Sequence, residues 1–101
     1  MAVYWISFRF DDDPGQAERR YALTKSIHTH KKRYWDRTDN FVIFESVHTL
    51  EFLADSFKRH LDRRRDLFLL CELATQSAVL YGHNTDPDVL ELMPGCCVLE
   101  V

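Results

Sequence analysis

Val3-Tyr4-Trp5-Ile6-Ser7-Phe8-Arg9-Phe10-Asp11-Asp12-Asp13-Pro14-Gly15 is the stretch that decides the fold. β-Branched and aromatic residues fill its first part, and acids and turn formers close it. This composition predicts a strand with an abrupt C-terminal end. Three carboxylates leave that strand end together, which makes it the most chemically suggestive part of the sequence.

A helix is predicted directly after this strand. Asp13 suits the N-cap, Pro14 suits the first helical position and Gln16 suits the reciprocal capping position. Arg20 interrupts the face that we expect the helix to bury. The other residues that share this face at helical spacing are Ala17, Tyr21, Leu23, Thr24, Ile27 and His28.

The rest of the chain alternates between strand and helix patterns. A strand that includes Tyr34 and Trp35 is followed by a turn at residues 38–40 and a second strand at residues 41–45. A helix then begins after Thr49, its predicted N-cap, with buried positions at Leu50, Leu53, Ala54, Phe57 and Leu61. We expect strands at residues 66–73 and 77–82, a short helix at residues 86–93 and a last strand at residues 96–101.

This order predicts an α+β protein with a ferredoxin-like βαββαβ sandwich, an extra hairpin strand and a C-terminal tail strand. We place the ferredoxin-like domain at residues 1–82 and the tail, a short helix plus a strand, at residues 83–101. The tail is expected to pack on the same subunit or on a partner. Both helices should cover one sheet face, and the other face should be too apolar for water, so we expect a homodimer that joins the two uncovered faces.

Composition and charge narrow the class of protein. The chain has 101 residues, of which 46% are hydrophobic and 29% charged, as expected for a single globular domain. No apolar run is long enough to cross a bilayer and the first residues do not resemble a signal segment, so we expect a cytoplasmic location without membrane contact. All 13 Lys and Arg lie in residues 1–65, whereas residues 66–101 hold six acids and no base.

Two groups of basic residues are candidates for contact with nucleic acid. Tyr34 and Trp35 lie among the first group, and their rings could stack on unpaired bases while the cations bind phosphates. The alternative, which the composition favours, is a solvated helix end and loop whose aromatic residues pack in a dimer core. The candidate residues are Lys31, Lys32, Arg33 and Arg37 in the first group and Arg63, Arg64 and Arg65 in the second.

Several short motifs resemble the Cas-two family, the small CRISPR-associated proteins that bridge the adaptation integrase, and its toxin-like relatives. Phe10-Asp11 matches the aromatic residue and aspartate that end the first strand in that family. Residues 37–45, which read Arg-Thr-Asp-Asn-Phe-Val-Ile-Phe-Glu, resemble its middle hairpin, and Asp66 matches the acid that opens its fourth strand. The likeness covers residues 3–82, while the long acidic tail departs from the family pattern.

The resemblance implies a homodimer in a prokaryotic defence context, with nucleic acid or a protein as partner. Our primary hypothesis is a non-catalytic module of this kind. The alternative is a metal-dependent endonuclease, acting on RNA or DNA, in which Asp11 from both subunits is catalytic and holds Mg²⁺ with Asp12 as an auxiliary ligand. A third interpretation of residues 11–13 is a solvated turn and helix cap.

Overall fold

The structure, a computed structural model, describes residues 1–100, and in these the chain forms six strands and three helices. The predicted α+β class is confirmed, as are the extra hairpin strand and the tail strand. In chain order the elements are β1 (Ala2–Arg9), α1 (Gln16–His30), β2 (Tyr34–Thr38), β3 (Phe41–Ser46), α2 (Leu50–Lys58), β4 (Leu67–Glu72), β5 (Ala78–Gly82), α3 (Asp88–Leu92) and β6 (Cys96–Leu99).

All six strands belong to one mixed sheet, in the order β2-β3-β1-β4-β5-β6. β1 lies in the middle, where Tyr4 is opposite Phe44 of β3 on one side and Glu72 of β4 on the other. Every neighbouring pair is antiparallel except β5 and β6, which are parallel. A parallel pair needs a crossover between its strands, and the segment that contains α3 supplies it.

The hydrophobic core lies between the sheet and the two long helices. β1 contributes every second side chain to it, as the period of a strand requires. Leu23 from α1 and Phe57 from α2 are fully buried in the same cluster, so both helices cover the same face of the sheet, here called the first face. The strand residues of this cluster are Tyr4, Ile6, Phe8, Val42, Phe44, Phe68, Leu70, Val79 and Tyr81.

The predicted pattern of α2 is confirmed. All five residues that its spacing assigns to the core are buried, although the last of them, Leu61, lies beyond the end of the helix at Lys58. Thr49 is the N-cap, and its hydroxyl oxygen accepts a hydrogen bond of 3.1 Å from the Phe52 amide. This cap satisfies one of the amides that the first turn of a helix leaves without a partner.

The predicted start of α1 is wrong, and its predicted inward face is only partly right. The helix begins at Gln16 with Gly15 as its N-cap, so Asp13, Pro14 and Gln16 do not occupy the capping positions expected for them. The Asp13 carboxylate accepts hydrogen bonds from the Gly15 amide and from Arg19 instead.

Leu23 and Ile27 of the predicted inward face are buried, whereas Tyr21 is 69% exposed. Ala17 and His28, which were expected on the same face, are also exposed. Arg19 is half-buried on the inward side of α1, where its guanidinium contacts the carboxylates of Asp13 and Asp66. Because this inward residue is charged, the spacing of apolar residues alone does not identify the whole inward face.

The second face of the sheet is covered only in part, and the chain's own tail provides the cover. Leu80 and Cys71 lie on this face and are almost fully buried. Val89 of α3 borders the same cleft as Leu80, and Leu92 borders a cleft with Cys71 and Trp5. The tail therefore packs on its own subunit over β4 and β5, and its last residue, Val101, lies outside the described residues.

Gly82 at the end of β5 is required by a close backbone approach. Its φ is +112°, and a Cβ atom there would lie 2.1 Å from the Asp66 carbonyl oxygen.

We expect Gly82→Ala to lower the free energy of unfolding by at least about 2 kcal/mol, measured by urea denaturation. Gly95→Ala is the control, because Gly95 has no positive φ and its Cβ would lie 3.0 Å from the nearest atom. Equal losses in the two variants would contradict this account.

Candidate functional site

A buried carboxylate, Asp66, organises the end of the sheet where β1 stops. It lies at the start of β4, beside the end of β1, because Leu67 pairs with Arg9. Its Oδ1 accepts a 3.0 Å hydrogen bond from the Asp11 amide, and its Oδ2 accepts one of 2.8 Å from the Asp62 amide. Asp66 thereby joins the loop after β1 to the loop after α2.

Arg19 of α1 completes the environment of this carboxylate. Its Nε donates to Asp66 Oδ2 at 2.7 Å, and its Nη2 donates to Asp66 Oδ1 at 3.1 Å. Nη1 and Nη2 also donate to the two oxygens of Asp13 at 2.9 and 2.8 Å. Arg65 adds a second cation 3.3 Å from Asp13. One guanidinium thus holds two carboxylates through the forked geometry that arginine provides.

The electrostatics of this network follow from these contacts. Burial alone would raise the pKa of Asp66, but hydrogen bonds from Arg19 and from the Asp62 and Asp11 amides outweigh burial and lower it. Hydrogen bonds from Arg19 hold the pKa of Asp13 far below its usual range. The same two acids raise the pKa of Arg19. The network is therefore fully charged at neutral pH.

Asp11 and Asp12 differ from Asp13 in that their carboxylates are free. Both residues are exposed, and neither carboxylate has a hydrogen bond or ion pair with another residue of the described chain. The turn function that the sequence suggested for residues 11–13 is performed by Asp13, whose Oδ1 accepts a 2.8 Å hydrogen bond from the Gly15 amide. Within residues 1–100, no three His, Cys, Asp or Glu side chains are close enough together to hold a metal ion. A metal at Asp11 would need further ligands from a second chain or from a substrate.

Lys31, Lys32 and Arg33 lie at the end of the sheet opposite to the second group. Arg37 lies near the turn between β2 and β3, at the end where β1 stops, because Thr38 pairs with Phe41 and Phe41 pairs with Ser7. Lys32 follows α1 and its amide donates to Glu45, which is opposite Val3 near the start of β1. Arg63, Arg64 and Arg65 precede β4, at the end where β1 stops. The 15 residues of α1 separate these ends by about 22 Å. The basic residues before β2 and those before β4 therefore form two surfaces rather than one continuous patch.

Individual basic residues differ in their freedom to bind a ligand. Arg33 donates to both oxygens of Glu45, at 2.6 and 3.2 Å, and Arg65 is held by Asp13. The Lys31 ammonium lies 4.8 Å from the centre of the Tyr34 ring, a cation–π contact. Arg37 is exposed in the irregular part of β2.

An apolar surface remains open on the second face, beside the part that the tail covers. Trp35 is opposite Ile43, which is opposite Trp5, so the three side chains share this face. The Trp5 and Phe41 rings stack with their centres 5.9 Å apart, and Trp35 remains 46% exposed. We call this region the open apolar surface, and it consists of Val3, Trp5, Trp35, Phe41 and Ile43.

Sequence reasoning missed Arg19 and the structural part that Asp66 plays. The available signals were a charged residue within the inward arc of α1 and an acid placed directly before a buried apolar strand. Either signal alone fits a solvated position, and only the fold brings the two residues together.

Comparison with known proteins defines no closer class than the α+β fold. No protein-family model, no curated protein and no solved structure matches this chain. None of the helices in residues 1–100 has the length and apolar character needed to cross a bilayer.

Asp66→Asn tests the network. We expect the free energy of unfolding at pH 7 to fall by about 3 kcal/mol, because Arg19 loses the buried charge that it meets. The lowered pKa of Asp66 means that its contribution is complete at neutral pH and is lost as the pH falls below about 4, the range of an unfolded aspartate. Urea denaturation from neutral to strongly acidic pH should therefore show a shallower loss of stability in the variant.

Asp39→Asn is the matched control, since Asp39 is exposed in the turn between β2 and β3. It should keep both the stability and the pH dependence of the wild type. The network account is wrong if Asp66→Asn does the same.

Proposed function

We propose that the chain is a non-catalytic homodimeric module similar to the Cas-two family, working in the cytoplasm in a prokaryotic defence context with nucleic acid or a protein as partner. The open apolar surface carries this proposal. Five apolar side chains from three adjacent strands lie there, two of them tryptophans, and large aromatic residues dominate the energy of protein interfaces.

The sheet order supports a ferredoxin-like core over residues 1–82. The strands β2-β3-β1-β4 are all antiparallel neighbours, and two helices lie on one face. This is the arrangement that two strand-helix-strand halves produce when placed side by side. β5, α3 and β6 are additions at one edge of that core.

Charge complementarity favours a second copy as the occupant of the open surface. The tail beside the surface carries four acids and no Lys or Arg in residues 83–100, while Arg33 and Arg37 lie on or next to β2 at its other border. A twofold axis parallel to the strands would stack the two open surfaces and bring each acidic tail beside the basic β2 edge of the other copy. An axis across the strands would instead bring the two acidic tails together. That arrangement is unfavourable because the negative charges of the tails would repel each other and the tails would occupy the same space.

Contact with nucleic acid is proposed for the basic residues that the dimer leaves accessible. Lys31 and Lys32 lie directly before β2, and Tyr34 is on the first-face side of β2, away from the open apolar surface. Positive charge next to an aromatic ring suits a single strand, whose bases can stack on the ring. Such binding must weaken as salt concentration rises.

Trp35→Glu tests the dimer. We expect the wild type to sediment as a dimer at micromolar concentration and the variant to dissociate at least about 30-fold more readily, because a charge replaces a central aromatic side chain. Tyr21→Glu is the control, since Tyr21 is an exposed aromatic residue on α1, remote from the open apolar surface. A wild type that sediments as a monomer throughout this range contradicts the proposal.

A metal-dependent endonuclease is the second candidate, favoured by the free carboxylates of Asp11 and Asp12. A twofold axis parallel to the strands would keep both Asp11 residues at the same end of the dimer, whereas an axis across the strands would place them at opposite ends. Mg²⁺ held there by carboxylates and phosphate oxygens would stabilise charge on the scissile phosphate. Asp66 would act only as a positioning residue, through its hydrogen bond from the Asp11 amide.

Asp11→Asn distinguishes the two candidates. If the chain is a nuclease, the wild type should cleave labelled RNA or DNA with Mg²⁺ or Mn²⁺, a chelator should stop cleavage, and the variant should lose at least about 100-fold in rate, since it removes one ligand from each half of the site. Asp39→Asn should cleave like the wild type. Equal cleavage by wild type and Asp11→Asn would exclude the endonuclease function.

A further inference from the structure

A cleft of about 600 Å³ lies between the loop after α2 and the C-terminal strand β6. Its volume falls in the range of small-molecule sites. It does not involve the open apolar surface, and of the residues that line it only Glu100 is among the tail acids that the proposed dimer places beside the partner's β2 edge. The residues that line it include Arg63, Arg64, Tyr81, His83, Leu99 and Glu100.

The two arginines of this cleft are free to bind a ligand. Arg65, the next residue, is held by Asp13 and Asp62, at 3.3 and 3.7 Å. Arg63 and Arg64 form no ion pair with any residue that the structure describes, and both are exposed. Two arginines that are adjacent in sequence and form no ion pair therefore line one border of the cleft.

We infer that this cleft binds a small phosphomonoester. A phosphate monoester carries close to two negative charges at neutral pH, and its oxygens match the forked donors of arginine. Tyr81 and Leu99 provide the apolar wall that the organic part of such a ligand needs. Glu100 can accept hydrogen bonds from hydroxyl or amino groups of that organic part.

Glu100 also limits the charge that the cleft accepts. A carboxylate in the same cleft repels additional phosphates, so a single phosphate with a neutral organic group fits better than a polyphosphate. The ligand class is therefore a nucleoside monophosphate or a sugar phosphate, which share the phosphate ester and differ in the organic part.

Calorimetric titration of the full chain tests this inference. The probes are AMP, glucose 6-phosphate, ATP, adenosine and inorganic phosphate, at physiological salt. We expect at least one of AMP and glucose 6-phosphate to bind with a dissociation constant below about 1 mM, and the preferred ester identifies the organic part. Adenosine, ATP and inorganic phosphate should bind at least about tenfold more weakly than the preferred ester.

The double variant Arg63→Gln/Arg64→Gln should bind the preferred ester at least about tenfold more weakly, with an unchanged thermal unfolding midpoint. Arg37→Gln removes an exposed arginine of β2, outside the cleft, and should leave binding unchanged. The inference is overturned if neither ester binds, if adenosine, ATP or inorganic phosphate binds as tightly as the ester, or if the double variant and the Arg37 control behave alike. None of these outcomes depends on whether the chain forms the proposed dimer.

Discussion

A six-stranded sheet has two faces to cover, and the two long helices of this chain cover only one. Leu23 and Phe57 close the first face together with the aromatic side chains of β1, β3 and β4. The tail covers β4 and β5 on the second face through the segment that contains α3. What remains is the open apolar surface over β1, β2 and β3, and the free energy gained by removing it from water is the main force available for assembly.

The buried charges beside β1 have a different function from the apolar surface. Asp66 is fully buried, and an isolated carboxylate in that position would be costly. Four hydrogen bonds, two of them from Arg19, offset that cost and tie β4, α1 and the loop after β1 to one point. This arrangement fixes the backbone at Asp11 and leaves its carboxylate in solvent. The rigidity of the strand end therefore does not depend on whether Asp11 binds a metal.

Local sequence patterns were sufficient to predict an element when that element is determined by its own residue spacing and capping. The spacing of Leu50, Leu53 and Phe57 and the cap at Thr49 identified α2, because its inward face is apolar throughout. The inward face of α1 was found only in part: Leu23 and Ile27 were expected there, but Arg19 was not, and the reason for that arginine lies 47 residues away at Asp66. Asp13 was expected to be the N-cap of α1, because the residues next to it do not reveal that its carboxylate pairs with Arg19.

Placement of the candidate sites needed the tertiary fold. Tyr34 and Trp35 are adjacent in sequence and point to opposite faces, and the pairing of Trp35 with Ile43 decides which of them reaches the open apolar surface. The basic groups before β2 and before β4 were both candidates for contact with nucleic acid, yet the length of α1 separates them. The parallel pairing of β6 with β5 also has no local signal, because it depends on where the tail crosses the sheet.

Fluorescence of the two tryptophans is the most direct test of the claim that a second copy covers the open apolar surface. Trp5 and Trp35 are the only tryptophans in the chain, and both lie on that surface. If the account is correct, raising the protein concentration from nanomolar to tens of micromolar should shift their emission to shorter wavelength and reduce quenching by acrylamide, most strongly for Trp35 in a Trp5→Phe variant. Emission and quenching that stay constant over this range, with Trp35 still accessible to the quencher, would contradict it.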